Sequence, residues 1–184
     1  AVIIVITSDR GLAGGYNTNI LKAAENKQAE LLSENKEVEL VTVGKKGTGY
    51  FNYRNFESVN QYEGLTDEPK FEDAFEVMKP VIEGYNEGDV SEVYILYTEY
   101  ISALTQKATV KQLLPVVSDA EENTDKTEDT SGGYSFEPSP EEVLEDLIPK
   151  YMNATLFGSL LNSSTSEHAS RMRAMKAATE NAED

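Results

Sequence analysis

The chain opens on an unbroken apolar run from Val2 to Ile6. A strand that is apolar at every position is typical of one that is covered on both faces of a sheet. The run is followed by Ser8-Asp9-Arg10, by glycines at positions 11, 14 and 15, and by a helical pattern that starts near Asn17. This order of strand, glycine turn and helix is typical of a nucleotide-binding site, and equally of any tight connection between a strand and a helix.

Helix and strand patterns then alternate along the next hundred residues. Apolar residues at helical spacing predict helices over residues 20–32 and 71–85, and Pro80 predicts a kink or a restart of the second near Lys79. Strands are predicted over residues 38–43, 56–61, 92–100 and 105–114. The last strand alternates apolar and polar side chains, as an antiparallel strand with one wet face does. We interpret residues 44–49, which hold three glycines, as a loop.

These elements predict an α/β fold over residues 1–118, a Rossmann-like three-layer sandwich with a mixed sheet. Residues 119–133 are acidic and almost free of apolar side chains, which predicts a flexible loop. Residues 134–184 contain the start and the shaft of a long C-terminal helix. Ser139-Pro140 with Glu142 forms a typical helix start, and Pro149 predicts a kink near Glu145.

The C-terminal helix is predicted to be longer than the domain it follows. About 45 helical residues reach about 65 Å, whereas an α/β domain of about 120 residues is only about 35 Å across. The helix should therefore pack back on the domain and overhang it. A possible seam follows alternating steps of three and four through Leu144, Leu147, Tyr151, Ala154, Gly158, Leu161, Thr165, His168, Met172, Met175, Thr179 and Ala182.

A repeat of 3.5 residues predicts a coiled coil, which requires a second long helix. No other predicted helix of this chain is long enough to be that partner. The chain also starts inside a strand, without Met, and stops inside a helical pattern. We therefore expect a fragment of a longer protein whose other part supplies the partner helix.

Composition narrows the function classes. With 33 acidic and 16 basic residues, the net charge is -17, which disfavours sequence-independent binding to nucleic acid or to anionic lipid. There is no cysteine, which excludes disulfides and thiolate chemistry and favours a reducing compartment. Because of this charge, we expect no nucleic-acid partner. No apolar run approaches the roughly 20 residues that span a bilayer, so we expect no direct transmembrane segment.

Two interpretations of the glycine turn compete. A nucleotide-binding Rossmann-like enzyme domain is the alternative function, but Gly11, Gly14 and Gly15 lack the Gly-x-Gly-x-x-Gly spacing. The second strand also ends at Gly44, where a dinucleotide site requires an acid. We favour a structural turn made of Asp9, Arg10 and the three glycines, in which Asp9 and Arg10 pair with each other or cap the helix start.

Other chemistry has little support in the sequence. His168 is the single histidine and lies on the predicted seam, so no metal cluster and no Ser/His arrangement can be assembled around it. We predict no catalytic residue, no cofactor and no metal site.

Three segments resemble segments of a known family. Ser8 to Gly15 (SDRGLAGG) and Ser166 to Ala182 (SEHASRMRAMKAATENA) are similar to the two signature segments of the γ subunit of F-type ATP synthase. Tyr134 to Pro140 (YSFEPSP) is similar to the aromatic, Glu-Pro stretch that precedes the C-terminal helix of that family. The three matches keep the family's order and span nearly the whole chain.

The resemblance implies a non-catalytic rotor. It implies that a long N-terminal helix and the end of the C-terminal helix are absent from this chain, and that the two helices together form the coiled-coil axle of a central stalk. The stalk would rotate inside a ring of three α and three β subunits, driven by the c ring of a proton-translocating membrane sector, and would change the conformation of each catalytic β subunit in turn.

The resemblance also assigns subunit contacts to particular residues. Glu167 and Arg171 correspond to positions where the family's shaft faces the β subunits, although residues four apart on a helix can also pair with each other. Tyr134, Phe136 and Glu137 correspond to the foot of the stalk, near the ε subunit and the c ring. The alternative for these three is a loop that packs under the helix start.

The departures from the family pattern bear on the type of organism. Ala13 stands where many members have cysteine, and the cysteine-bearing insert of the plastid form is absent. The alanine matters little at a position for a small buried residue, whereas the absence of the insert favours a bacterial or a mitochondrial protein. The acidity of the chain favours the bacterial one. The expected location is the cytoplasmic face of the bacterial cell membrane, as a peripheral subunit.

Overall fold

Five strands form one mixed sheet in the computed structural model, which describes residues 1–116 and 140–183. The elements in chain order are β1 (Val2–Ile6), α1 (Tyr16–Ser33), β2 (Glu39–Val43), α2 (Lys45–Tyr53), β3 (Asn60–Tyr62), α3 (Phe71–Glu87), β4 (Val93–Tyr100), β5 (Gln106–Leu114) and α4 (Pro140–Glu183). The strand order is β3-β2-β1-β4-β5. Four strands run parallel, and β5 runs antiparallel to β4. The predicted fold class is confirmed.

Strand β1 lies at the centre of the sheet and is buried on both faces, as its unbroken apolar run predicts. Val2, Ile4 and Ile6 pack in a core formed with helices α3 and α4. Ile3 and Val5 point the other way, into a core formed with α1 and α2. The sheet is therefore the middle layer of three, and α4 belongs to one outer layer together with α3.

Helix α2 corrects the prediction of a loop over residues 44–49. Three glycines disfavour a helix by propensity, but the first turn of α2 is held by residues that follow β1. Oδ1 of Asp9 accepts the backbone N–H of Lys45 at 3.1 Å, and Oγ1 of Thr7 accepts that of Gly47 at 2.8 Å. These bonds satisfy N–H groups that have no partner within a helix, and they offset the low propensity.

Two further boundaries differ from the predictions. Helix α3 continues through Pro80 without interruption, so no restart occurs near Lys79. The ring nevertheless removes one backbone donor, and the buried residues Ala74, Val77, Met78 and Val81 hold the helix against the sheet on both sides of it. Strand β3 covers only Asn60–Tyr62, and residues 56–59, which were predicted to start it, precede it.

Helix α4 is continuous over 44 residues, including Pro149, and would extend about 66 Å at the standard rise per residue. The predicted seam is not the face that α4 buries against the domain: its positions Leu147, Tyr151, Leu161, Met172 and Met175 are all exposed. The helix instead buries a neighbouring face, whose apolar members are Met152, Leu156, Leu160 and Ala169. All residues from 175 to 182 are exposed, so the end of α4 extends past its contacts with the domain.

Several predictions lie outside the described residues. These are the acidic loop over residues 119–133, the cap at Ser139, and the foot residues Tyr134, Phe136 and Glu137. Among the helices of the described ranges, none combines the length and the apolar character needed to cross a membrane.

Candidate functional site

The carboxyl ends of β1 and β4 define the place where a parallel sheet of this kind binds ligands. From β1 the chain builds the sheet to one side through β2 and β3, and then to the other side through β4. In open α/β sheets, ligands bind in the crevice outside the strand ends at such a reversal. The glycine turn over residues 11–15 lies at this edge, so the sequence signal and the topology point to the same location.

Asp9 organises the loops at this edge. Its Oδ2 accepts the backbone N–H of Gly64 at 3.0 Å and the hydroxyl of Thr66 at 2.9 Å, while its Oδ1 accepts the N–H of Lys45. Arg10 is paired with Asp67 at 2.7 Å. Asp9 therefore caps α2, and the expectations that Asp9 pairs with Arg10 or caps α1 are wrong.

The start of α1 is tied to β1 by a different pair. Ser8 donates its backbone N–H to Oδ1 of Asn17 at 3.0 Å, and Nδ2 of Asn17 donates to Oγ of Ser8 at 2.7 Å. The cap residue of α1, Gly15, contributes no side chain. In the turn itself Gly14 has a φ of +56°, which favours glycine, and Leu12 also adopts a positive φ of 63°. The turn is thus a corner stabilised by Ser8 and Asn17.

Helix α4 occupies the crevice that a nucleotide would need. Oγ of Ser163 accepts the backbone N–H of Thr98 at 3.3 Å, and Oγ of Ser166 donates to the carbonyl of Thr98 at 3.0 Å. One turn further on, Nε and Nη2 of Arg171 donate to the carbonyl of Gly11 at 3.4 and 3.5 Å. The helix thus contacts both the end of β4 and the glycine turn, and it covers the space between them.

Glu167 and Arg171 form an ion pair within α4. The side chain of Glu167 is 1% exposed and that of Arg171 is 17% exposed, so this pair lies mostly against the domain. Burial raises the pKa of the Glu167 carboxyl, and the adjacent Arg171 guanidinium opposes that shift. Among the described residues, Oε2 of Glu167 has no hydrogen-bond partner. The pairing expected from their spacing is present, and their role at a subunit interface stays a prediction.

Tyr16 lies beneath the same pair at the start of α1. Its side chain is almost fully buried, and burial raises the pKa of its phenol well above the ordinary value. Ser163, Glu167 and Thr98 are the polar groups near it. Buried side chains of α1, β4 and α4 therefore pack against one another at the centre of the carboxyl edge.

An open cleft of about 330 Å³ remains beside α4, and it is lined by the end of the glycine turn (Ala13, Gly14 and Gly15) and by residues of α1, β4 and β5. Arg173 is the charged residue in its lining, and its guanidinium already donates to the carbonyl of Leu104 at 2.6 Å and to Oε1 of Gln106. Within residues 1–116 and 140–183, no three histidine or acidic side chains are grouped as metal ligands would be. The arrangement favours attachment of a helix over binding of a nucleotide.

The sequence patterns did not reveal two features of this edge, a row of serines on α4 and the contact made by Gly44. The serines at positions 163, 166 and 170 follow steps of three and four along α4, a signal that the assignment of a seam to a different face obscured. Gly44 was assigned to a loop, whereas it lies against Thr7 at the edge of the sheet. The spacing of the serines could have been found from sequence, but the contact of Gly44 could not.

Comparisons with known proteins agree with this geometry. A family model described as ATP synthase matches residues 1–184. The ATP synthase gamma chain of Streptomyces griseus is 44% identical over 190 residues, which cover 100% of this chain and 62% of the relative. The ATP synthase gamma chain of Alkaliphilus metalliredigens is 42% identical over 182 residues, which cover 98% of this chain and 62% of the relative. The chain thus spans 62% of the length of these relatives.

Solved structures share the fold. The central stalk and c ring structure of the Tetrahymena thermophila mitochondrial ATP synthase contains a chain that matches with a TM-score of 0.72 and 24% identity, covering 97% of this chain and 75% of that one. The rotor of the Euglena gracilis mitochondrial ATP synthase contains a chain that matches with a TM-score of 0.69 and 20% identity, covering 98% and 67%.

Proposed function

The chain belongs to the ATP synthase family as one of its gamma chains, and from that premise we propose that the whole protein is the rotating central-stalk γ subunit of a proton-translocating F-type ATP synthase. In this role it performs no catalysis itself. It transmits the rotation of a c ring in the membrane to the catalytic β subunits, whose nucleotide affinities then change in turn. Such coupling is allosteric, because the rotor biases sites that it does not occupy.

The observation that carries this proposal is the match of the family over residues 1–184. The position of α4 supports it. The helix lies along one face of the sheet, fills the crevice at the carboxyl edge, and continues beyond it with exposed residues from 175 to 182. A stiff helix that is attached to a globular domain and extends past it can transmit torque or position to other subunits.

We propose that the chain divides into parts that correspond to this rotor function. Residues 1–118 form the globular platform, residues 134–184 contain the start and shaft of the long helix, and the acidic segment 119–133 joins the two. The exposed seam of α4, which includes Leu161, Met172 and Met175, is the surface on which the partner helix of the axle packs.

The proposed partners are the α and β subunits of the catalytic ring, the ε subunit and the c ring. The guanidinium of Arg171, which keeps 17% exposure, faces the β subunits, with Glu167 behind it. Tyr134, Phe136 and Glu137 contact the ε subunit and the c ring. The proposed location is the cytoplasmic face of a bacterial cell membrane, where the subunit is peripheral.

Reconstitution tests the proposal. The full-length protein is assembled with α and β subunits, and a probe is attached through Tyr53→Cys, since Tyr53 is 85% exposed on α2 and this chain has no cysteine of its own. ATP should drive rotation of the probe in one direction. An α and β assembly that hydrolyses ATP around the protein without turning the probe contradicts the rotor role.

A further inference from the structure

The last residues of β4, at its carboxyl end, have a neighbouring strand on only one side. Strand β1 pairs with β4 as far as Val5 and Leu96, but β4 continues to Tyr100 and pairs there only with β5. The backbone groups of Thr98 that would face a longer β1 are buried and therefore need other partners, because an unpaired buried backbone group is costly. The N–H of Tyr100 lies further along, where the strand is exposed.

Side chains of α4 supply those partners. Ser163 and Ser166 bond the N–H and the carbonyl of Thr98, and Oδ1 of Asn162 accepts the N–H of Tyr100 at 3.4 Å. Ser163 and Ser166 are both 0% exposed. Three side chains of one helix thus take the place that a strand occupies further back along β4.

The same stretch of α4 makes polar contacts with three other segments. Oγ of Ser164 donates to the carbonyl of Asp67 at 3.1 Å, and Oγ of Ser170 donates to Oε1 of Gln106 at 3.2 Å. Arg171 reaches the carbonyl of Gly11. From residue 162 to residue 173, therefore, α4 is attached mainly by hydrogen bonds, whereas its earlier part is held by Met152, Leu156 and Leu160 in the core.

The two kinds of attachment differ mechanically. Apolar packing is non-directional, so its energy changes gradually when a helix rotates slightly about its own axis. Hydrogen bonds weaken steeply when the donor and acceptor lose alignment, so they oppose such rotation directly. The hydrogen-bonded stretch also lies where the exposed end of α4 begins, which is where a load on that end would enter the domain.

We propose that Ser163 and Ser166 are positioning residues that couple α4 to the sheet in torsion, so that load on the shaft is transmitted to the globular domain through the end of β4. This inference rests on the rotor function proposed above. It predicts that loss of the two hydroxyls leaves α4 in place, held by its apolar residues, but makes the coupling between shaft and domain less rigid.

The test uses the full-length protein in the assembled ATP synthase, with the double variant Ser163→Ala, Ser166→Ala. The ions pumped per ATP hydrolysed should fall by roughly two-fold or more, while hydrolysis itself is maintained. The matched control is Ser159→Ala. Ser159 is 4% exposed, and its hydroxyl bonds only the carbonyl of Thr155 within α4 at 2.8 Å, so its loss should leave pumping unchanged. Equal pumping by double variant and wild type, or an equal fall in the control, overturns the proposal.

A second measurement tests the contact of Ser163 and Ser166 with Thr98 in the isolated protein, outside the assembled ATP synthase. In the isolated full-length double variant, the amide of Thr98 should exchange hydrogen about five-fold faster or more, since one hydrogen bond contributes about 1 kcal/mol. Unchanged exchange overturns the inference. If the double variant does not assemble, Ser163→Ala and Ser166→Ala are measured singly, and each must lower pumping. A wild-type protein that fails to pump contradicts the proposed function, whereas the exchange of Thr98 still decides the contact.

Discussion

A Cβ atom on Gly44 would lie 2.2 Å from the carbonyl oxygen of Thr7, and Gly44 itself has a φ of +97°. Both facts exclude a side chain at this position, because the obstructing atom is backbone and the conformation is one that other residues rarely adopt. Gly44 lies between β2 and α2 as the N-cap residue of α2, so the packing of two strand ends and one helix depends on it.

Substitution of Gly44 should therefore be severe. Gly44→Ala is expected to lower the free energy of unfolding by about 3 kcal/mol or more, as the sum of backbone strain and the displacement of Thr7. Gly49→Ala is the control within α2, since a Cβ there meets nothing within 4 Å, and it should stabilise the chain by about 0.5 kcal/mol. Urea unfolding measures both. Equal free energies of unfolding for the two variants would show that the close approach of Gly44 to Thr7 does not determine the stability of the chain.

Asp9 should matter more than its charged neighbour. Asp9→Ala removes an acceptor for Lys45, Gly64 and Thr66, and should cost about 2 kcal/mol of unfolding free energy. Arg10→Ala removes an ion pair with Asp67 in which the arginine side chain is 70% exposed, and should cost less than about 1 kcal/mol. Thermal or urea unfolding ranks the two, and the reverse order would contradict the role of Asp9 as the organiser of these loops.

Glu167 should contribute a pH dependence to stability. Its folded-state pKa is raised, mainly by burial, above the ordinary value of 4.5. The folded state therefore holds the proton more tightly than the unfolded state does. The contribution of this group is fully present below about pH 4.5 and is lost as the pH rises through the folded-state pKa.

Glu167→Gln removes that titration. The stability of the variant relative to the wild type should increase with pH from 4.5 upward, and level off once the wild-type carboxyl is ionised. Urea midpoints at a series of pH values give the difference. Glu180→Gln, which changes a side chain 63% exposed on the same helix, serves as the control. Parallel profiles for Glu167→Gln and the wild type would rule out the linkage.

Calorimetry should detect no binding of ATP or NAD to the chain. Ser163, Ser166 and Arg171 fill the crevice at the ends of β1 and β4, and the glycine turn lacks the spacing of a phosphate loop. The measurement is a titration of the folded chain with each nucleotide. A micromolar affinity for either one would support the alternative of a nucleotide-binding enzyme domain.

Hydrogen exchange tests the proposed coiled coil. In a chain extended to the length of the curated relatives, amides of α4 from Ser166 onward should exchange more slowly than in the present chain, because a partner helix would cover Met172 and Met175. Amides of β1, which is buried in both cases, provide the internal control. Unchanged exchange along α4 would contradict the assignment of the seam.

The elements with strong local patterns were predictable from the sequence. The apolar run of β1, the alternation in β5 and the periodic spacing in α1 and α3 depend on residues close together in the chain, and the structure confirms these elements. Helix α4 was predictable for a similar reason, since its start at Pro140 and the lack of stop signals after Pro149 are local features. The family resemblance was also available from local sequence, in three short segments.

Only the tertiary structure decided which of these elements contact one another, and through which residues. Helix α2 forms in spite of its glycines because Thr7 and Asp9, more than thirty residues earlier in the chain, accept its first N–H groups. The serines of α4 contact β4 because β4 extends a few residues beyond the end of β1 and leaves backbone groups without a strand beside them. That difference in length depends on the register in which the two strands pair. Local sequence carries the periodicity of a helix or a strand, but the partners of a backbone group at a sheet edge depend on which distant segments arrive there.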